Sequence, residues 1–158
     1  MRALSVTFGL LCPTMAFAAC QGETLVSCPI GAKQLQVCNE SDQLTYSFGP
    51  PGAPELQLAS RPQDAYTPWN GISRTLWETI TFTNRDVTYE VVFSFDRMAE
   101  NAMPVWGVTV LQGSDIAASL TCDSQAANIP FDGLYDQITA TGLCWNRDAA
   151  QWQTGTCP

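Results

Sequence analysis

Apolar and polar residues alternate along most of this chain. The pattern is strongest from Leu76 to Phe95, where apolar side chains recur at every second position on both sides of a short polar break, with Glu78 as the exception. A period of two places alternate side chains on opposite faces of a β-strand. The two apolar faces match if a two-residue turn, Asn84-Arg85 or Arg85-Asp86, joins the halves. The pattern therefore predicts a central β-hairpin.

The same pattern predicts one hairpin before this segment and one after it. The earlier hairpin has a four-residue turn, Asn39-Glu40-Ser41-Asp42, which would pair Val37 with Leu44 across the strands. The later hairpin runs from Val105 to Cys122 and has a three-residue loop, Gly113-Ser114-Asp115, whose glycine can adopt the left-handed conformation.

Together these segments predict a mainly β protein with about seven or eight short antiparallel strands. Such a meander can close into a small barrel or fold into a sandwich, and closure into a barrel removes the exposed strand edges. After Cys122 the period changes to a helical one, which predicts a short helix at about residues 131–141 capping one end of the barrel. The last segment, residues 143–158, shows no clear period and is expected to be a disulfide-stapled tail.

The first residues have the pattern of an export signal. Arg2 precedes an apolar run, and Ala16 and Ala18 form a small-x-small cleavage pattern. No later segment approaches the roughly 18 consecutive apolar residues of a membrane-spanning helix. We therefore expect a signal peptide at residues 1–18 and a single periplasmic or secreted domain at residues 19–158.

Cleavage at this point also changes the cysteine count. The chain has seven cysteines, and loss of Cys12 with the leader leaves six, an even number that suits disulfides in an exported protein. Six cysteines allow 15 pairings, and the spacing does not choose among them. In the alternative, Cys20 is the acylated first residue of a lipoprotein, which would leave one thiol unpaired. The six cysteines are Cys20, Cys28, Cys38, Cys122, Cys144 and Cys157.

Charge and the missing histidine narrow the functional classes. Removing the 18 leader residues, which include Arg2, from the 158 leaves 140 residues with fifteen acids, six bases and a formal net charge of −9. Lys33 is the only lysine, so nucleic-acid binding is not expected, whereas an acidic surface suits a basic protein partner. Without histidine the chain lacks the usual general base and the commonest metal ligand. We therefore expect no catalysis, no metal site and no cofactor.

A loop before the central hairpin has the residue types of a recognition site. The segment Tyr66-Thr67-Pro68-Trp69-Asn70-Gly71-Ile72-Ser73-Arg74 combines turn formers with large aromatics and an arginine. Such groups anchor protein interfaces, and loops often present them. The predicted contact residues are Trp69, Asn70, Ser73 and Arg74. The alternative is that the aromatics fold back over the mouth of the barrel.

Several of these features together resemble the bacterial periplasmic inhibitors of C-type lysozyme. They are the leader, Cys38 and Cys122 at strand ends, and the loop Gly71-Ile72-Ser73-Arg74 before a strand, and the resemblance covers residues 28–122. It implies a small exported barrel whose loop enters the lysozyme cleft, with Ser73 and, more weakly, Arg74 making the contact.

We therefore expect an exported, non-catalytic protein-binding domain, with lysozyme or another basic cell-wall hydrolase as the candidate partner. The second hypothesis is a periplasmic carrier that holds a small apolar ligand inside the barrel. A core filled with large side chains would count against a carrier. The residues that would fill it are Tyr46, Phe82, Tyr89, Phe93 and Trp106.

Overall fold

The computed structural model of the chain describes residues 20–123 and 131–157, so the predicted signal peptide lies outside the described residues. The described part is mainly β, as predicted, and contains eleven strands and two helices. The elements, in chain order, are β1 Glu23–Ile30, β2 Lys33–Asn39, β3 Leu44–Gly49, β4 Leu56–Ser60, α1 Pro62–Ala65, β5 Tyr66–Thr67, β6 Thr75–Asn84, β7 Val87–Asp96, β8 Val105–Gln112, β9 Asp115–Thr121, α2 Asp132–Ala140, β10 Leu143–Asn146 and β11 Gln151–Thr154.

Among the described residues the strands form three antiparallel sheets that do not close into a barrel. The barrel, one of the two predicted arrangements, and the predicted number of seven or eight strands are therefore wrong. Strands β1 to β4 form a four-stranded small sheet, β5 to β9 a five-stranded large sheet, and β10 with β11 a separate hairpin. The meander breaks after β4, where Pro62 begins helix α1. Proline has no backbone N–H to donate to a strand ladder, and its fixed φ suits the first turn of a helix. The chain therefore leaves the small sheet here and starts the large one.

The two sheets share one hydrophobic core filled by aromatic side chains. The ring of Tyr46 from the small sheet lies 5.3 Å from that of Phe82 in the large sheet. Farther along the large sheet, Phe93 and Trp106 are 4.7 Å apart between ring centroids. All four side chains are buried. Large side chains thus occupy the space in which the carrier hypothesis places its ligand.

Helix α2 confirms the prediction of a helix at residues 131–141, although it packs on a two-sheet core and does not cap a barrel. Its apolar side is buried through Phe131, which precedes the first helical residue, and through Leu134 and Ile138. Tyr135, at the same helical spacing, is exposed on one side and lies 5.3 Å from the ring of Trp152.

The central hairpin has the predicted register. Asn84 lies opposite Val87, so the turn is Arg85-Asp86, the second of the two predicted turns. The first hairpin differs from the prediction by two residues, because Val37 pairs with Tyr46 and the turn starts at Glu40. A shift of two residues leaves the same side chains on the buried face, so the hydrophobic pattern cannot detect it.

The third hairpin keeps the predicted residue pairs away from its turn, but the extra residue of the second strand does not lie in the turn. Val110 pairs with Ala118 as expected, whereas Gln112 pairs with Asp115, so the turn is the two residues Gly113-Ser114. The extra residue is therefore Ala117, which forms a β-bulge in β9. A bulge and a three-residue loop give the same register beyond them, so alternation alone does not separate the two.

All six cysteines predicted to remain after cleavage are paired. The bonds join Cys20 to Cys38, Cys28 to Cys122 and Cys144 to Cys157. The first bond uses the sulfur that the lipoprotein alternative needs for acylation. Three disulfides are typical of a protein that folds in an oxidising, exported environment. In the described residues no helix has both the length and the apolar character needed to cross a membrane.

The C-terminal segment is more regular than the sequence indicated. The residues predicted to form a disulfide-stapled tail make the β10–β11 hairpin, in which Trp145 lies opposite Trp152. The disulfide between Cys144 and Cys157 closes this hairpin, as a stapled tail requires. Each strand has only four residues, which is too short for a clear period.

Candidate recognition surface

The large sheet has two ends with different connections. Thr75 pairs with Asp96, and Ser94 pairs with Val105, so the start of β6, the end of β7 and the start of β8 lie together. We call this the loop end, because its connections are residues 68–74, the recognition loop, and residues 97–104. The opposite end, with two-residue turns after β6 and β8, is called the turn end.

Exposed apolar side chains are concentrated at the loop end. Six large hydrophobic side chains are exposed among the described residues, and four of them lie on or beside the two loops: Ile72, Met98, Met103 and Val105. Ile72 is the most exposed, at 74%. Single exposed apolar residues are common on protein surfaces, whereas a group at one end indicates an interaction surface.

The recognition loop combines the two arrangements expected from the sequence. The residues that lead into the loop fold inward, since Tyr66 and Pro68 are buried. Trp69 and Asn70 are half-buried, and the following residues 71–74 are exposed. The aromatic residues thus fix the loop on the protein, and the tip extends from it.

Arg97, from the neighbouring loop, holds the recognition loop in place. Its guanidinium lies 4.3 Å from the centroid of the Trp69 ring, and its Nη2 donates a hydrogen bond to the Ser73 carbonyl, 2.6 Å away. Trp69 Nε1 in turn donates to the carbonyl of Ile72 at 3.1 Å. A cation stacked on an aromatic face and two hydrogen bonds therefore converge on the loop tip. Sequence reasoning missed Arg97, because it is 24 residues from Ser73 and has no local signal.

The predicted contact residue Arg74 forms an ion pair with Asp96. Its Nε lies 2.8 and 2.9 Å from the two carboxylate oxygens. The hydrogen bond from Arg74 is the main cause that lowers the pKa of Asp96, and a backbone N–H from Met98 adds to it. Arg74 therefore joins the two loops, and its charge is largely neutralised within the protein.

The other two predicted residues shape the tip itself. Asn70 Oδ1 accepts a hydrogen bond from the Ile72 N–H at 3.0 Å, and Ser73 Oγ accepts one from the Thr75 N–H at 3.2 Å. Ser73 has φ = 109°, a conformation that costs a residue with a side chain about 1–3 kcal/mol. These contacts leave Ile72 as the exposed apolar side chain of the tip. Its sequence signal was an apolar residue directly after a turn glycine.

The chain matches no protein-family model, and comparisons with curated proteins and with solved structures give no match either. In the described residues no group of three or more cysteine, aspartate or glutamate side chains is arranged to hold a metal ion.

Proposed function

We propose that this chain is an exported, non-catalytic protein-binding domain that contacts its partner through the loop end. The observation that carries this proposal is the group of exposed apolar side chains Ile72, Met98, Met103 and Val105 on or beside two adjacent connections. Protein interfaces are built around apolar anchors of this kind, surrounded by polar groups.

The rigidity of the recognition loop supports the same proposal. Arg97, Asn70 and Ser73 hold the loop tip in one conformation before any partner is present. A loop ordered in advance loses less conformational entropy on binding, which leaves more of the contact energy for affinity. The positive φ of Ser73 is a local strain that the surrounding contacts stabilise.

Net charge favours a basic partner. The domain after the predicted leader carries a formal charge of −9, and a charge of this size accelerates association with a cationic protein. The resemblance to lysozyme inhibitors makes a lysozyme the first partner to test. The carrier hypothesis is less favoured, because Tyr46, Phe82 and Trp106 fill the space between the sheets.

A cell-wall lysis assay tests the proposal. Purified domain, residues 19–158, is mixed at micromolar concentration with animal-type, goose-type and invertebrate-type lysozymes, and the clearing of a bacterial suspension is followed. We expect inhibition of at least one enzyme, with weaker inhibition at high salt. If none of the three is inhibited, lysozyme is rejected as the partner.

A pair of matched variants tests the surface. Ile72→Ser removes the most exposed apolar side chain at the loop end, and Ile116→Ser removes one that is 69% exposed at the turn end. We expect Ile72→Ser to weaken inhibition about tenfold, the range of an interface anchor, and Ile116→Ser to leave it unchanged. Equal effects of the two variants would show that the loop end is not the contact surface.

A further inference from the structure

A groove adjoins the loop end, between the recognition loop and the β10–β11 hairpin. Its volume is about 500 Å³, within the range of small-ligand and peptide-side-chain sites. Its lining combines polar groups, which make up most of the exposed surface, with three aromatic side chains, and Arg147 is its cation. The aromatic residues are Trp69, Tyr135 and Trp145.

The hairpin side of the groove is held rigidly. Asn146 Oδ1 accepts hydrogen bonds from the backbone N–H groups of Asp148 and Ala149, both at 3.0 Å, and so fixes the turn that carries Arg147. Trp145 packs against Trp152 with 5.5 Å between ring centroids. The disulfide from Cys144 to Cys157 also lines the groove. The position of Arg147 is therefore set by the fold, although its side chain reaches solvent.

No carboxylate of the described residues forms an ion pair with Arg147. Lys33, Arg61 and Arg74 each form an ion pair with a carboxylate, whereas Arg85, Arg97 and Arg147 have no described carboxylate within 4.0 Å, and of these three Arg147 is the one that lines the groove. Its guanidinium instead lies beside the recognition loop, 3.7 Å from where a Cβ at Gly71 would be. In a chain with twice as many acids as bases, an unpaired guanidinium in an aromatic groove is complementary to a negatively charged ligand.

We propose that this groove binds a carboxylate on an otherwise apolar peptide segment of the partner protein. Arg147 donates hydrogen bonds to the carboxylate, a pairing that the planar guanidinium makes with two parallel N–H groups. The aromatic walls take the apolar side chain next to that carboxylate. The inference rests on the proposed function in one respect, namely that the ligand is part of a protein. It adds that a partner attracted by the negative charge of the domain must also present a carboxylate to Arg147.

Two synthetic peptides test the groove without the partner. One is an acetylated, amidated hexapeptide of leucine and phenylalanine with a single aspartate, and the other has asparagine in its place. Binding is followed by the ¹⁵N-¹H indole signals of Trp69 and Trp145. We expect the aspartate peptide to shift both signals and to bind about tenfold more tightly than the asparagine peptide, with the difference reduced in 0.5 M NaCl.

Two arginine variants make the test specific. Arg147→Gln should abolish the preference for aspartate. Arg85→Gln is the matched control: it removes the same charge from the exposed β6–β7 turn, where no described carboxylate forms an ion pair with Arg85, and should keep the preference. Both positions are exposed, so both variants are expected to fold, and unchanged thermal midpoints verify this.

Several results would overturn the inference. Equal binding of the two peptides, or the same loss in both arginine variants, would exclude a specific role for Arg147. Indole shifts produced by an N-acetylglucosamine oligomer but not by the aspartate peptide would assign the groove to a glycan. Shifts that grow with protein concentration alone would assign it to a second copy of the chain. The lysis assay with Ile72→Ser is independent of all these results, so failure of the groove and failure of the proposed function can be told apart.

Discussion

The two ends of the large sheet connect neighbouring strands in different ways. At the turn end, Arg85-Asp86 and Gly113-Ser114 connect strands by the shortest hairpin turns, and a backbone hydrogen bond of 3.2 Å from Gly113 to Asp86 links the two turns. At the loop end the connections are longer. A backbone hydrogen bond of 3.2 Å from Arg97 to Arg74 links them too, and the side chains of Arg74 and Arg97 add further contacts.

This difference shows where the fold has freedom to carry a function. Two-residue turns are determined by strand register and leave little surface for anything else. The longer loops place four apolar side chains in solvent, and their order depends on a few charged contacts. Binding sites are often found on loops positioned by a rigid scaffold, and the loop end has this organisation.

The largest expected effect is loss of the disulfide between Cys28 and Cys122, which joins the small sheet to the end of β9 at the loop end. It closes 94 residues, and replacing both cysteines by alanine should lower the free energy of unfolding by about 4–5 kcal/mol on the chain-entropy model. The same replacement of Cys144 and Cys157, which close 13 residues, should cost about 3 kcal/mol. Urea unfolding measures both, and equal losses would contradict the loop-length argument.

The second prediction concerns the turn end, where Tyr46 packs beneath Phe82 and Tyr89. Burial, with a smaller contribution from Tyr89, raises the pKa of Tyr46 far above its ordinary value of about 10. The unfolded chain ionises this hydroxyl first, so its stabilising contribution is complete below pH 10 and is lost above it, at up to about 1.4 kcal/mol per pH unit.

Urea unfolding at pH 9 and pH 11 measures this loss. Tyr46→Phe should remove much of the difference between the two pH values. Tyr135→Phe is the matched control, because that side chain is 41% exposed, and it should keep the difference. An unchanged difference in Tyr46→Phe would show that another group dominates the alkaline response.

The third prediction tests the arginine that holds the recognition loop. Arg97→Ala removes the stack on Trp69 and the hydrogen bond to Ser73, and should loosen the loop by about 1 kcal/mol. Hydrogen exchange of the amides at residues 69–74 should then accelerate roughly fivefold, with little change in global stability. Arg85→Ala, at the turn end, should leave these amides unchanged. Slow exchange that persists in Arg97→Ala would mean that Asn70 and Ser73 suffice to order the loop.

The smallest effect is expected from the exposed ion pair between Arg74 and Asp96. The hydrogen bond from Arg74 holds the pKa of Asp96 below its ordinary value. The stabilisation is therefore present above about pH 4 and is lost as the pH falls through the lowered pKa of the folded state. Asp96→Asn should reduce the stability difference between pH 5 and pH 2.5 slightly, and Asp115→Asn at the turn end should not. An effect that survives in 1 M NaCl would contradict an exposed electrostatic origin.

Local patterns predicted the hairpins better than their assembly. The register from Leu76 to Phe95 was predictable because alternation and a two-residue turn lie within a few residues of each other. Whether the strands close into a barrel was not predictable, because it depended on the break at Pro62 and on how two apolar faces pack. At the loop end, Trp69 and Arg74 lie in the loop before β6, but their main partners, Asp96 and Arg97, lie at the end of β7 and directly after it.

The sequence by itself determined the three long hairpins, their buried faces and the C-terminal helix, because these follow from short-range periodicity. Tertiary structure alone decided that the meander divides into two sheets and which cysteines join. It also decided that Arg97 stacks on Trp69 and that Arg147 enters an aromatic groove. Each of these depends on residues distant along the chain coming together. Hydrophobic periodicity specifies which face of a strand is buried but not what that face meets.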